Sequence, residues 1–231
     1  MDTLQTKLSF LLQKYEAPHR AELNADASAV TVEGKTYPLL PYRNERRFIE
    51  LKKIVDTTVG EISHFKIMAL HPESMTPERL LRQELGIAEF VSGQRITEIF
   101  AMRGERDWTV SCRTEKNAAV TLELSCNLPE GSRVVDKHEI ITTRGTACDR
   151  GVDSQTPLSS VYVYGEKNAE YTDVDFELYG LSVPEIAAVR QSFELAVCPE
   201  KGDVLAAEDA HLLALVEAAK KSAETCENVI L

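Results

Sequence analysis

An imidazole titrates near neutral pH and binds divalent metals, so the five histidines are the first residues to place. His64 and His71 fall in EISHFKIMALHP, which reads as one long strand closed by Pro72. Their opposite parity sends the two rings to opposite faces, and they can share a metal only where the strand is bulged. His138, next to Glu139, and His211, near Asp209, read as surface residues. No H-x-x-x-H or HExxH spacing supports zinc, and no G-x-S-x-G or Cys-His arrangement supports a covalent hydrolase. The motifs therefore point to no catalytic residue and no metal. Cys112, Cys126, Cys148, Cys198 and Cys226 form an odd set without a C-x-x-C pair, as expected of free thiols in a reducing cytoplasm. Cys112 alternates with Trp108 and Val110, and Cys126 with Val120, Leu122 and Leu124. Both cysteines are expected to be small core residues.

The elements that must position these groups follow from periodicity. Leu4, Leu8, Leu11, Leu12 and Tyr15 recur at helical spacing, and AVTVEGKTYPLL reads as a hairpin turning at Glu33-Gly34. NERRFIELKKIVDTT is helical, with Phe48, Leu51, Ile54 and Val55 on one face. SMTPERLLRQEL opens another helix with Pro77 in its first turn, and that helix is expected to continue through EFVSGQRITEIF. After Gly104 the period changes to two through DWTVSCR, AAVTLELSC, RVVDKHEIITT, SSVYVYG and EYTDVDFELYG, so a large, mostly antiparallel sheet is expected. VPEIAAVRQSFELAV and AEDAHLLALVEAAKKSAETCENVIL return to helix, the second with Leu212, Leu213, Leu215, Val216 and Ala219 inward and a short final strand at Val229-Ile230-Leu231. The expected fold class is α+β, an open sheet with helices packed on one face.

The formal charge of −11, from 26 basic and 37 acidic residues, argues against nucleic acid and anionic membranes as partners. No stretch of about 18 apolar residues and no export signal is found, so a soluble protein is expected.

The tail DAHLLALVEAAKKSAETCENVIL resembles the end of the glucose-fructose oxidoreductase and inositol dehydrogenase (Gfo/Idh/MocA) family. ELKKIVDTTVGEISHFKI is similar to that family's entry into its second domain, and HEIITTRGTACDRGV to its strand-glycine-strand step, with Gly145 at the turn. The resemblance covers residues 38 to 231. It suggests an N-terminal helix and the start of a hairpin over residues 1–33, and a second-domain-like α+β unit over 34–231. It also implies a dinucleotide domain with a glycine-rich fingerprint and a catalytic lysine in a Glu-Lys-Pro step. Neither motif occurs in this sequence: its eleven glycines contain no G-x-G-x-x-G, and no cofactor is expected.

In the family, a helix carries Asp, His and Asp at spacings of four and three between two glycines. Laying Gly86 and Gly104 on those glycines puts Phe90, Gln94 and Thr97 at the three positions; a shifted register puts Glu89 and Gly93 at the first two. On either register the titrating histidine is missing. Phe90, Gln94 and Thr97 then either line a relic sugar-sized pocket or serve as core and boundary residues. Tyr42 and Arg46, near the family's tyrosine-arginine strand exit, either contact a carboxylate or hydroxyls of a ligand or form a solvated turn.

The resemblance further implies self-association through the free sheet face. Two readings follow. One is a non-catalytic oligomerisation or sugar-like ligand-binding module, acting alone or beside a full-length dehydrogenase subunit. The other is part of an NAD(P)-dependent sugar or cyclitol oxidoreductase, completed by a separate Rossmann-bearing chain.

Overall fold

The structure, a computed structural model, describes residues 3–57, 60–149, 160–164, 169–172 and 177–231, with 160–164 and 169–172 described by their backbone alone. In chain order the elements are α1 (Thr3–Lys14), β1 (Ala21–Leu23), β2 (Ala29–Val32), β3 (Lys35–Pro38), a 3-10 turn (Pro41–Asn44), α2 (Arg46–Thr57), β4 (Ile62–Pro72), α3 (Pro77–Ser92), β5 (Ile96–Arg103), β6 (Asp107–Thr114), β7 (Ala119–Leu128), β8 (Val135–Thr142), β9 (Gly145–Cys148), β10 (Ser160–Tyr164), β11 (Ala169–Thr172), α4 (Val183–Val197), α5 (Lys201–Thr225) and β12 (Val229–Ile230). Helices precede and follow a block of strands, the α+β order expected from the periodicity. Among the described residues no helix is long and apolar enough to cross a membrane.

The chain divides into two compact units, Met1–Phe48 with Val174–His211, and Ile49–Asp173 with Leu212–Leu231. Residues 33 and 34 form a hairpin turn inside the first of these. In that unit β1, β2 and β3 form a three-stranded antiparallel sheet. The β2–β3 turn places Glu33 and Gly34 at positive φ, the backbone of a two-residue hairpin loop. Helix α4 begins with Pro184 in its first turn and a Ser182/Glu185 capping box. It packs against α1 and the 3-10 turn. Gln191 ties α4 to the chain after β3: Leu40 N–H donates to its Oε1 at 2.6 Å, and its Nε2 donates to Leu40 O at 3.1 Å. Leu4, Leu8 and Leu11 of α1 are buried, whereas Tyr15, expected on the same stripe, is exposed and stacks edge-on to Phe193.

The second unit is built on a nine-stranded sheet in the order β11-β10-β9-β8-β4-β7-β6-β5-β12. Only β4 and β7 run parallel; every other neighbouring pair is antiparallel. Alternation gives this sheet one dry face, carrying Phe65, Ile67, Ala69, Ile99, Trp108, Val110, Cys112, Val120, Leu122, Leu124, Cys126 and Ile140. Each large apolar side chain buried there contributes about 1.5–3 kcal/mol. The two cysteines sit in this core as expected, and burial pushes both thiols up from their ordinary range. Helix α3 packs on β7, β4 and β6, with Leu80, Leu81, Leu85, Ala88 and Val91 buried. In α5, Leu212, Leu215, Val216 and Ala219 are buried, but Leu213 is 49% exposed, contrary to expectation.

The expected helix over 89–100 is not continuous. Thr76 caps the start of α3, its hydroxyl accepting from Arg79 N–H, and Gly93 closes the end in the left-handed region at φ 63°. The remainder is strand β5. Its register against β6 shifts between Ile96 and Glu98, and this bulge leaves Ile96 and Ile99 both buried on the dry face. A spacing of three on one face is the mark of a helix, and here an irregular strand produces it.

The expected strand over 170–180 is β11 through Thr172 and a turn at Glu177–Gly180, with residues 173–176 outside those described. The side-chain alternation expected along it therefore lies largely outside the described residues.

Candidate functional site

Phe90, Gln94 and Thr97 do not share a helix face. Phe90 is half-buried near the end of α3, with the Lys52 ammonium 5.9 Å from its ring centroid. Gln94 follows the glycine cap and is 8% exposed. Its Oε1 accepts from Thr114 Oγ1 at 2.6 Å, and Thr114 Oγ1 in turn accepts from Ala118 N–H at 3.0 Å. The amide therefore binds the helix-to-strand turn to the β6–β7 turn. Thr97 lies at the bulge of β5, its hydroxyl donating to Arg113 O at 3.3 Å. Glu89, the alternative first position, is buried and closes the same turn, accepting from Arg95 Nη1 at 2.6 Å and Ile96 N–H at 2.8 Å. In the first unit, Tyr42 is buried with its hydroxyl donating to Glu208 at 3.0 Å, and Arg46 is exposed. Arg43 rather than Arg46 forms the ion pair with Glu208.

A cluster of ionisable groups lies where none was expected. His138 is fully buried, not at the surface, because β8 alternates and turns His138, Ile140 and Thr142 to the dry face. Its Nδ1–H donates to Asp149 Oδ2 at 2.7 Å and its Nε2–H to Glu84 Oε2 at 2.9 Å. Asp136 Oδ1 lies 3.3 Å from Nδ1. Asp149, just past β9, also accepts from the His138 backbone N–H and returns its own N–H to His138 O at 3.1 Å. Burial alone pushes the His138 imidazole down. The charges of Asp149 and Asp136 and the hydrogen bonds to Asp149 and Glu84 outweigh it and hold the ring well above its ordinary value. Glu84, fully buried in the middle of α3, is one turn from Leu80 on the packed stripe. With Glu84 and His138 wholly enclosed, the cluster can hold a cation or fix three elements together.

The sheet's other face carries a depression of about 290 Å³ of mixed polar and apolar lining, which includes His64, Glu98, Phe100, Arg113, Ala119 and Thr121. His64 Nε2 and Thr121 Oγ1 are 2.9 Å apart across β4 and β7. Partial burial, with a smaller push from Lys66, lowers His64 from its usual value. His71 carries its ring on the opposite side of β4, as parity predicts, beside a register shift between Leu70 and Pro72. The depression has hydrogen-bonding groups of both kinds but no aligned acid–base pair.

No protein-family model and no curated protein matches the chain. Solved structures do. It is similar to an oxidoreductase from Agrobacterium radiobacter in complex with NAD+, L-tartaric acid and magnesium, at 16% identity and TM-score 0.68 over 84% of this chain and 64% of that one. It is also similar to an inositol dehydrogenase homolog from Azotobacter vinelandii complexed with NADH and myo-inositol, at 14% identity and TM-score 0.64 over 84% and 64%. An oxidoreductase from Pseudomonas syringae matches at 12% identity and TM-score 0.66 over the same shares. The chain thus spans about 64% of the length of the solved chains it matches. At these identities the likeness concerns the fold, and the fold of this chain is the one found in oxidoreductases of the Gfo/Idh/MocA type.

Proposed function

We infer that this chain is a non-catalytic module of the oxidoreductase fold, which assembles with a second copy through the open sheet face and offers that fold's scaffold to a sugar-like small ligand. The observation that carries this reading is the state of Gln94. At the position where the resemblance puts a histidine, an amide that does not titrate is buried and spent on Thr114. The neighbouring carboxylate of Glu89 is likewise spent on Arg95 and the Ile96 backbone. The depression beside His64 and Thr121 is large enough for a small polyol and is lined by donors and acceptors suited to hydroxyls.

Thermal-shift measurements on the isolated chain with NAD(H), NADP(H) and a panel of sugars and cyclitols test the reading. Stabilisation by sugar or cyclitol alone is expected. Stabilisation by nucleotide would overturn the reading and favour an oxidoreductase subunit.

A further inference from the structure

The cluster around His138 has a geometry that a hydrogen-bonded salt bridge alone does not require. One carboxylate oxygen each from Glu84 and Asp136 and one ring nitrogen of His138 lie within 4.8 Å of one another. Asp136 and His138 share one face of β8, and Glu84 reaches them from α3. Asp149 holds Nδ1 at 2.7 Å, with Asp136 Oδ1 3.3 Å from the same nitrogen, which fixes the ring and turns Nε2 toward Glu84 Oε2, 2.9 Å away. A carboxylate on one imidazole nitrogen with a ligand position on the other is the arrangement that orients metal-binding histidines.

A second observation comes from β4. The Nε2 of His71 is buried and has no hydrogen-bond partner among the described residues. His71 follows Ala69, which pairs with Asp136 in the sheet.

We propose that Glu84, Asp136 and His138 Nε2 bind a divalent first-row metal ion, the Asp136 carboxylate turning toward Nε2 from its place 3.3 Å from Nδ1, with Asp149 as the positioning residue on Nδ1 and His71 as an additional nitrogen donor. The ion takes the place of the Nε2 proton, which leaves to solvent. A mixed imidazole and carboxylate set suits Mn²⁺, Fe²⁺ or Zn²⁺ better than Mg²⁺ or Ca²⁺, which prefer all-oxygen shells. Bonds of about 2.1 Å hold neighbouring ligand atoms about 3 Å apart, close to the Glu84–His138 spacing. Asp136, whose side chain is 19% exposed, is the point of entry. The bound ion would fasten α3 to β8 beneath the sheet.

The probe is Mn²⁺ added to chelator-treated protein, followed by electron paramagnetic resonance and by the melting temperature; Mn²⁺ avoids titrating the thiols. One equivalent is expected to bind and to raise Tm by about 5–10 °C at a hundredfold excess over Kd. Asp136→Asn is expected to weaken binding at least tenfold while the metal-free protein keeps its circular dichroism. His71→Ala is expected to weaken it less, with the same fold. Failure of Mn²⁺ to bind the wild type, or undiminished binding to both variants, would overturn the proposal.

Discussion

Gln94 has two amide hydrogens and a carbonyl oxygen, and the oxygen is committed to Thr114 inside the protein. Removing it leaves the Thr114 hydroxyl buried with one partner fewer, a loss of about 1–3 kcal/mol. Gln94→Ala should therefore lower the unfolding free energy by that amount, read as a lower urea midpoint at an unchanged m-value, and an unshifted midpoint would show that the amide does not matter to the fold. Glu194 gives a pH-dependent counterpart in α4. Burial alone raises its carboxyl, but hydrogen bonds from Asn44 and Lys201, with the charges of Lys201 and Arg43, outweigh this and hold it below its ordinary 4.5. A folded pKa below the unfolded one adds stability above the unfolded value, and that stability is lost as pH falls through the folded value. Glu194→Gln should accordingly lower Tm at neutral pH and flatten the acid limb below about pH 4.5, the variant and the wild type converging as pH falls. The same scale shows why the ionisable cluster was hard to read in the sequence. The alternation of His138, Ile140 and Thr142 was legible and pointed inward. Glu139 beside the histidine, and the usual exposure of acids such as Glu84, argued the other way. Asp149 joins them only through the β8–β9 pairing, which no local spacing reports.

At the scale of elements, the helices and the strands with clean alternation were legible: α3 from Pro77 in its first turn, α4 from the run VPEIAAVRQSFELAV, β6 and β7 from their period of two. The end of α3 was not, because the bulge at Thr97 gives β5 a helical spacing of apolar residues. Gly93 is the residue that settles the boundary. Its φ of 63° is strained for any residue with a Cβ, and the added methyl would also come 3.3 Å from the Lys52 ammonium. Gly93→Ala should destabilise by about 1–2 kcal/mol, although alanine is the better helix former, and a neutral result would mean that the turn relaxes freely. Gly202, in the first turn of α5, tests close packing instead. A Cβ there would sit 2.2 Å from the ring of Tyr37, which is 5% exposed. Because that ring is enclosed, Gly202→Ala should cost about 3 kcal/mol by chemical denaturation. A substitution costing less than about 1 kcal/mol would show that Tyr37 has room to move.

At the scale of the whole molecule, the two faces of the large sheet differ in a way that bears on assembly. The dry face is filled by apolar side chains, with α3 packed over its central strands. The opposite face carries Met102, 58% exposed, near half-buried Phe100 on β5, with the His64–Thr121 pair two strands away. Apolar residues spaced among polar ones suit a contact that forms between folded partners better than a surface that must always be covered. A stable pair would need about 800 Å² from each copy, roughly the scale of such a sheet face. On the proposed reading, light scattering behind size exclusion should show a dimer or tetramer at micromolar concentration. Replacing Phe100 and Met102 together by Asp should give a monomer of near-unchanged Tm, because like charges would then face each other across a two-fold contact at the same positions. A wild-type chain that elutes as a strict monomer across that concentration range would remove the open face as an assembly surface. The sugar-like ligand would then be the one remaining use proposed for it.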